Sequence, residues 1–166
     1  MIRSGVPVMP GSQGSGEDES EALEIARQIG FPVLIKATSG GGGKGMRLVE
    51  REEDFFNLFR MAQGEAESSF ADKRVYVEKY MRNPRHIEVQ IIGDRHGKIV
   101  ALGERECSIQ RRHQKLIEES PSPAVSPDLR RELAETAIRA AKAINYYNAG
   151  TIEFLLDSDG KFFFME

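Results

Sequence analysis

The sequence predicts an α+β protein in two lobes that divide near Met81. Before this point, two helical patterns alternate with short apolar runs that are typical of strands. After it, apolar and polar residues alternate over 87–91, which is typical of an antiparallel sheet with one buried face. A helix start then follows at Ser126, with Pro127 at the first helical position. This mixture of elements, without a repeating strand–helix unit, favours α+β.

The first lobe is predicted element by element from caps, breakers and apolar spacing. Acidic residues crowd the first turn of a helix over 17–29, and Gly30 and Pro32 end it. The other predicted elements are a strand at 33–37, a glycine loop, a strand at 46–49, a helix from about Glu52, and a strand at 75–80. Residues 1–12, rich in Gly, Ser and Pro, are predicted to connect this lobe to what precedes it.

The second lobe is predicted to be an antiparallel sheet with one helix. Alternation over 87–91 gives its first strand, and Asp94–Gly97 gives a turn. The predicted elements that follow are short strands at 99–102 and 107–110, a helix after Ser126, and final strands at 151–156 and 162–166 joined by a turn at 157–160.

The composition limits the possible classes of protein. With 166 residues, 40% of them hydrophobic, the chain can bury one good core or two small ones. Charged residues make up 30%, yet the net charge of −3 gives no basic field for nucleic acid. Apolar stretches are far shorter than a membrane span, and we expect no signal peptide. The single cysteine, Cys107, excludes an internal disulfide, so we expect a cytoplasmic location, although an organelle matrix is equally compatible.

The most informative motif is the run Gly40–Gly43, followed by Lys44 and Gly45, between two strands. Glycines allow backbone N–H groups to approach an anion closely, and phosphate is the usual candidate. The dinucleotide fingerprint is excluded because a strand, not a helix, follows the loop, and a Walker loop lacks its Ser or Thr after Lys44. Kinase catalytic signatures are absent. A flap over nucleotide phosphates is therefore the leading hypothesis, with a mobile linker as its alternative.

Two neighbouring segments add to this hypothesis. Lys36, at the end of the strand that enters the loop, is predicted to pair with phosphate oxygens, against the alternative of a solvated strand-end lysine. The segment Glu78–Met81 leads out of the first lobe, where backbone donors and acceptors can meet an adenine edge. An ordinary edge strand with a solvated Glu–Lys pair is an equal alternative there.

The densest polar segment is Glu104–Lys115, which gathers cations, amides and carboxylates. Nucleic-acid binding is disfavoured because acidic neighbours cancel the positive charge and no aromatic residue interleaves. The alternatives are a solvated charged loop and a site for a small anion, and the mixture of cations and amides favours the anion. Cys107 is predicted to pack as a small apolar residue.

The last two predicted strands each carry a carboxylate, Glu153 and Glu166, among apolar residues. If the hairpin loop has an even length, residues of opposite parity share a face, so both carboxylates point the same way. Two carboxylates in apolar surroundings destabilise the protein unless a cation lies between them. This predicts Mg²⁺ held by these carboxylates and by substrate phosphates. A frayed terminal Glu166 is the alternative.

Taken in this order, the segments resemble the ATP-grasp core of the biotin carboxylase family. The matching stretches are Gly5–Pro7, Pro10–Ser12, Lys36–Ala37 with the glycine loop, Glu78–Tyr80, Asn83–Glu88, Glu106–Lys115 and Gly150–Phe154. The most specific piece is Arg111–Lys115, which separates this family from other ATP-grasp ligases. The resemblance implies a complete ATP-grasp lid at 13–81 and a partial antiparallel subdomain with a flanking helix at 82–166.

The resemblance also implies a role for individual residues. Residues implied to bind ATP are Lys36, Gly42, Gly43, Glu78, Lys79, Tyr80, Met81, His86, Gln110 and His113. Lys115 is implied to help bind bicarbonate, and Glu153 and Glu166 to ligate Mg²⁺, with Mn²⁺ as a substitute. The family's reaction forms carboxyphosphate from ATP and bicarbonate, and then carboxylates biotin on a carrier protein. A carboxyltransferase partner completes the sequence, as in acetyl-CoA carboxylase of fatty acid biosynthesis, and that partner sets the final acceptor.

Relative to this family, the sequence corresponds to a central piece. The family continues beyond the position of Glu166 with an Asn, a catalytic Arg and a Glu, so we expect the 166 residues alone to be inactive. The full-length protein is expected to be a homodimer that binds neither nucleic acid nor membrane. Two alternatives stay open: another ATP-grasp carboxylate–amine ligase, and a non-catalytic nucleotide-binding module.

Overall fold

A computed structural model describes residues 1–12, 18–40, 45–112 and 114–166 of the chain. The chain forms two compact units. Met9–Met81 is called the three-strand unit, and Met1–Val8 together with Arg82–Glu166 is called the five-strand unit, after their sheets. No helix within the described ranges has both the length and the apolar character needed to cross a membrane.

The three-strand unit is an antiparallel sheet with the order β2-β1-β3 and two helices. Its elements are α1 (Glu19–Ile29), β1 (Val33–Ala37), β2 (Met46–Val49), α2 (Phe55–Phe70) and β3 (Val75–Lys79). Helix α1 begins after Asp18, whose Oδ1 accepts hydrogen bonds from the N–H groups of Ser20 and Glu21 at 2.8 and 2.9 Å. This side-chain cap satisfies two of the free donors at the helix start.

Alternation along β1 separates the core of this unit from its polar face. Val33 and Ile35 are fully buried and pack against α2, whose Phe55 and Phe59 stack with their ring centroids 5.7 Å apart. Lys36, which follows Ile35 on the strand, points to the opposite side of the sheet, because successive strand residues alternate. The apolar pattern that predicts the strand therefore also fixes which face carries the cation.

The five-strand unit is an antiparallel sheet with the order β6-β5-β4-β7-β8 and one long helix. Its elements are β4 (Arg85–Gly93), β5 (Ile99–Arg111), β6 (Gln114–Glu119), α3 (Pro127–Ala143), β7 (Asn148–Leu156) and β8 (Phe162–Phe164). The predicted start of α3 is confirmed: Ser126 Oγ accepts from the N–H of Leu129 at 3.2 Å, and Pro127 occupies the first turn.

The two faces of this sheet differ as the alternation predicts. Ile87, Val89 and Ile91 are each at most 1% exposed and lie in one core with Leu133 and Ala137 of α3. The residues between them on β4 point to the other face, where the polar groups described below lie. One strand thus anchors the core and presents the site.

Helix α3 is also tied to the sheet by a buried ion pair. Glu104 of β5 lies opposite Val89, so it shares the face that α3 covers. Its carboxylate is 3% exposed and accepts from the guanidinium of Arg130 at 2.8 and 2.9 Å. Burial opposes ionisation of Glu104, but the bonds from Arg130 prevail and lower the pKa of the carboxyl.

Two strand predictions are corrected by the structure. The segments 99–102 and 107–110 are parts of one strand, β5, whose pairing shifts register near Gln90 and again near Ser108. These irregularities interrupt the period of two that sequence reading depends on. The described residues of the polar segment Glu104–Lys115, for which a solvated charged loop is one alternative, lie mostly in β5 and β6, where Arg105 and Lys115 bond to Glu88 across the sheet.

Candidate functional site

The polar face of the five-strand sheet brings together residues from four strands. In the pairing register, Glu88 lies directly opposite Glu153 on one side and Arg105 on the other. Antiparallel partners share a face, so all three side chains project the same way as His86. The alternation of β4 and the register of its neighbours are therefore sufficient to assemble the centre of the site.

Lys115 of edge strand β6 occupies the middle of this group. Its Nζ donates to Glu153 Oε1 at 2.6 Å and also bonds to Glu88 Oε2. The side chains of Glu88, Glu153 and Lys115 are 4%, 15% and 28% exposed, so the ammonium remains the most accessible group. One lysine thus neutralises two carboxylates that face each other across neighbouring strands.

His86 continues the network on the other oxygen of Glu153. Its Nε2 lies 2.8 Å from Glu153 Oε2, and its Nδ1 lies 2.7 Å from Gln110 Nε2. Gln110 Nε2 also donates to the carbonyl oxygen of Cys107 at 2.9 Å, which identifies it as the amide nitrogen. Nδ1 of His86 therefore accepts, and the neutral ring carries its proton on Nε2, where it donates to Glu153.

The backbone of His86 is held as firmly as its ring. Its N–H donates to Ser108 Oγ at 3.0 Å, and that hydroxyl donates to Glu106 Oε1 at 3.1 Å. Glu106 is 8% exposed and also accepts from Arg85 at 2.5 Å. The buried carboxylate therefore fixes the start of β4 through two contacts, which positions the imidazole.

Arg105 and Glu88 complete the network, and sequence reading assigned neither of them a role. Arg105 Nε donates to Glu88 Oε1 at 2.5 Å, and its Nη2 donates to Gln90 Oε1 at 3.1 Å. The polar positions His86, Glu88 and Gln90 on one face of β4 are the sequence signal for them. Without the register of β5, this signal does not reveal the arginine partner.

The charges in this network shift pKa values in opposite directions. Burial by itself raises the pKa of Glu88, but hydrogen bonds and charge from Lys115 and Arg105 outweigh it and lower the pKa. Burial likewise lowers the pKa of Lys115, but the bonds to Glu153 and Glu88 prevail and raise it. At neutral pH the site therefore holds a charged Lys115 ammonium against a charged Glu88 carboxylate.

The even-length loop that the argument for Glu153 and Glu166 assumes is not found. Strand β8 pairs with β7 so that Phe154 lies opposite Phe164, which leaves a five-residue loop at 157–161 rather than an even one. Residues of equal parity share a face as far as Phe164, but both Met165 and Glu166 bond to the backbone of Glu153, so the loop length alone does not fix the face of Glu166. Glu166 is exposed, and it meets Glu153 through the backbone, with the N–H of Glu153 donating to the carbonyl oxygen of Glu166 at 2.7 Å. Their joint role as metal ligands stays a prediction.

In the three-strand unit, Glu78 and Lys79 do not form the solvated pair that was one of the two alternatives, and each makes another contact. Lys36 Nζ donates to Glu78 Oε2 at 3.0 Å and lies 5.4 Å from the ring centroid of Tyr76. Lys79 Nζ donates to the carbonyl oxygens of Gly30 and Phe31 at 2.8 and 3.2 Å. The acid–base partner of Glu78 is therefore Lys36.

The surroundings of Lys36 keep it charged. Burial lowers the pKa of its ammonium, while the charge and hydrogen bond of Glu78 raise it, and the net shift is upward. Tyr80 is held through its N–H, which donates to the carbonyl oxygen of Pro32 at 3.2 Å, and Met81 is half-buried. Roles for Tyr80 and Met81 beside an adenine stay predictions.

Ala37 and Gly45, which flank the glycine run, contact each other at the base of the loop. The N–H of Ala37 donates to the carbonyl oxygen of Gly45 at 2.9 Å, which closes the loop. Gly45 has φ +71°, and a Cβ there would lie 2.7 Å from the Cβ of Ala37. The glycine is therefore required by both backbone conformation and close approach. Gly42, Gly43 and His113, which were predicted to bind nucleotide, lie outside the described residues.

The chain matches the family of the carbamoyl-phosphate synthase L chain, ATP binding domain, over residues 1–166. The chain belongs to this family. The ATP-grasp α+β fold and the resemblance to biotin carboxylase that the motifs predict are confirmed for this ATP-binding domain.

Two curated relatives of this domain are similar over all of the chain. It is 57% identical to the biotin carboxylase of Nostoc sp. over 166 residues, and spans 37% of that protein. It is 54% identical to the mitochondrial methylcrotonoyl-CoA carboxylase subunit alpha of Dictyostelium discoideum, and spans 24% of it. The chain therefore covers well under half of the length of these relatives.

A solved structure of a biotin carboxylase domain is also similar to this chain. It is the biotin carboxylase domain dimer of Hydrogenobacter thermophilus 2-oxoglutarate carboxylase, in complex with MgADP, ADP and bicarbonate. The TM-score is 0.92 at 47% identity, with 99% of this chain and 36% of that chain covered.

Proposed function

We propose that the protein containing these residues is a biotin carboxylase, an ATP-dependent ligase that carboxylates biotin on a carrier protein. The observation that carries this proposal is the hydrogen-bonded chain Gln110–His86–Glu153–Lys115 on one face of the five-strand sheet. These residues come from four strands, and each has a role in the nucleotide, bicarbonate or metal site that the family resemblance implies.

Lys115 is the proposed bicarbonate ligand. Its raised pKa keeps the ammonium charged at neutral pH, and its partial exposure leaves it within reach of a small anion. In the proposed reaction, a bicarbonate oxygen attacks the γ-phosphorus of ATP while the bond to ADP breaks, giving carboxyphosphate. Carboxyphosphate then breaks down to CO₂ and phosphate, and CO₂ forms a bond to a ring nitrogen of biotin, whose proton passes to the phosphate. Fixed positive charge near the transferred phosphoryl group lowers the barrier of such a step.

The three-strand unit is proposed to hold the nucleotide. Lys36, which is charged and partly exposed, pairs with phosphate oxygens, and the loop containing Gly42 and Gly43 supplies backbone donors. The segment Glu78–Met81 borders the adenine. His86, Gln110 and His113 are proposed as further nucleotide contacts.

Glu153 and Glu166 are proposed to hold Mg²⁺, and the donor chemistry fits, because carboxylate oxygens are its usual protein ligands. When bound, the ion neutralises charge on the phosphates. Both oxygens of Glu153 already accept hydrogen bonds, from Lys115 and His86, so this carboxylate is held in one orientation. The exposed Glu166 can approach it from the chain end.

The test is ADP release by the full-length protein as a function of bicarbonate and free biotin. We expect release to require both, and Lys115→Gln to reduce kcat/KM by about 100-fold or more, as for other lost charge-stabilising groups. Lys161→Gln, an exposed turn substitution, is the matched control. Release that is independent of bicarbonate but requires an amine would indicate another ATP-grasp ligase. Binding of ATP without release would indicate a nucleotide-binding module.

The location, oligomeric state and partner of the full-length protein are also proposals. We propose a cytoplasmic homodimer that supplies carboxybiotin to the carboxyltransferase of acetyl-CoA carboxylase, in fatty acid biosynthesis. The test is carboxyl transfer to acetyl-CoA compared with 3-methylcrotonoyl-CoA in the purified complex. We further propose that the 166 residues alone do not turn over ATP, since they span 37% of the Nostoc relative. Biotin-dependent ADP release by this chain would contradict that expectation.

A further inference from the structure

A cleft of about 710 Å³ lies at the end of the five-strand sheet that is remote from the network described above. It is lined by the β4–β5 turn and by the connection from α3 to β7, including Arg95, Lys142, Tyr146 and Tyr147. His86 lies near the start of β4, and the cleft begins just after its last residue, Gly93. Seven strand residues separate the two, or about 23 Å, so the cleft is distinct from the proposed active site.

The lining of the cleft has an excess of positive charge. Arg95 and Lys142 contribute two cations, against the single carboxylate of Asp94. Asp94 Oδ1 accepts from the N–H groups of His96 and Lys98 at 2.8 and 2.9 Å, which fixes the shape of the turn. Within the part of the chain that the structure describes, neither Arg95 nor Lys142 has an acidic partner. Both are therefore available to an external anion.

Two tyrosines give the cleft a planar wall. Tyr147 is 57% exposed, and the guanidinium carbon of Arg95 lies 5.7 Å from its ring centroid. The hydroxyl of Tyr146 donates to the carbonyl oxygen of Ala149 at 2.9 Å, so its ring is held in place. A large exposed aromatic side chain beside an unpaired cation is typical of a ligand contact.

The backbone of this region is packed too closely to be a loose surface loop. A Cβ at Gly93 would lie 2.9 Å from the carbonyl oxygen of Tyr146 and 3.2 Å from the Cα of Tyr147. The backbone of Tyr146 and Tyr147 therefore packs directly against the end of β4. A preformed wall reduces the entropy that a ligand loses on binding.

We propose that this cleft binds a small organic anion, in which a phosphate or carboxylate is attached to a planar ring. The oxyanion lies between the Arg95 guanidinium and the Lys142 ammonium, and the ring packs against Tyr147. This inference is independent of the proposed function, because none of these residues belongs to the carboxylase network.

The test is calorimetric titration of the full-length protein with phenyl phosphate and with benzoate, which distinguish the two oxyanions. We expect saturable binding with a dissociation constant of about 1 mM. Arg95→Gln or Lys142→Gln should raise this constant about fivefold or more, which corresponds to one lost charge-assisted contact. Tyr147→Leu should weaken phenyl phosphate but not inorganic phosphate. The matched control is Arg131→Gln, which removes an equal charge from the opposite end of α3.

Three results would overturn the inference. The first is no saturable binding of either ring compound to the full-length protein. The second is equal weakening by Arg131→Gln and Arg95→Gln, which would indicate non-specific attraction to net charge. The third is equal affinity for inorganic phosphate and phenyl phosphate, which would exclude a role for the tyrosine wall.

Discussion

Removing the ammonium at the centre of the network should destabilise the protein in a pH-dependent way. In Lys115→Met, Glu88 and Glu153 keep facing each other across β4 and β7 without the cation that joins them. Breaking a buried ion pair from one side costs about 3–5 kcal/mol. Lys115 is 28% exposed and Arg105 still holds Glu88, so we expect a loss of about 2–3 kcal/mol at pH 7.

The pH dependence follows from the two carboxylates. In the wild-type protein, the lowered pKa of Glu88 contributes stability above the ordinary value of 4.5, and this contribution is lost as the pH falls. In the variant, mutual repulsion raises the carboxyl pKa values, so the destabilisation is largest at pH 7 and is relieved as the pH falls and a carboxylate takes up a proton. We expect the difference between the two proteins to shrink by about 1 kcal/mol or more between pH 7 and pH 5.

Urea unfolding followed by circular dichroism at both pH values measures this difference. Lys161→Met, which removes an exposed turn lysine, serves as the control and should change stability by less than about 0.5 kcal/mol. A loss of the same size at pH 7 and pH 5 would refute the electrostatic reasoning. It would mean that the lysine acts through packing of its methylene groups alone.

Two further predictions concern backbone conformation and thiol reactivity. Gly45→Ala should lower the free energy of unfolding by more than about 1 kcal/mol, because φ is +71° and Ala37 leaves no space, while Gly64→Ala in open space on α2 should raise it by about 0.5–1 kcal/mol. Urea unfolding of both variants checks this, and equal effects would contradict it. Burial and the charge of Glu88 raise the pKa of Cys107 to about 11, so about 0.1% of the thiol is ionised at pH 8. Ellman's reagent should therefore label it only on unfolding, and rapid labelling of the native protein would contradict this.

The fold was largely predictable because its elements follow local rules. The start of α3 at Pro127 follows from the Ser126 cap, and the two faces of β4 follow from strict alternation. The errors arise where local rules give no answer. The length of β5 does not follow from the sequence because bulges interrupt its period, and the even loop assumed for the last hairpin is wrong because the loop after Leu156 has five residues.

The candidate site was only partly predictable for a related reason. Its residue types were evident from the sequence, but its contacts depend on which strands are neighbours. Glu88 and Arg105 are 17 residues apart, and their pairing requires the β4–β5 register. Lys115 reaches the site from an edge strand joined to β5 through two register shifts. A sequence pattern gives the face of each strand, whereas the register decides which charges meet.

The two hydrogen bonds that Glu153 accepts couple the proposed metal site to the proposed bicarbonate site. Its Oε1 accepts from Lys115 and its Oε2 lies 2.8 Å from His86 Nε2, so a metal ion at either oxygen shares that oxygen with a hydrogen-bond donor and weakens the contact by withdrawing charge from it. If the Lys115 contact is the one that weakens, the ammonium keeps only Glu88 and has donors free for an anion. Lys115 would then bind bicarbonate more strongly in the presence of Mg²⁺, and linkage requires Mg²⁺ to bind more strongly in the presence of bicarbonate. Substitution of Lys115 by Met should abolish this mutual dependence, whereas loss of His86 should leave it in place, because the imidazole contacts the other oxygen.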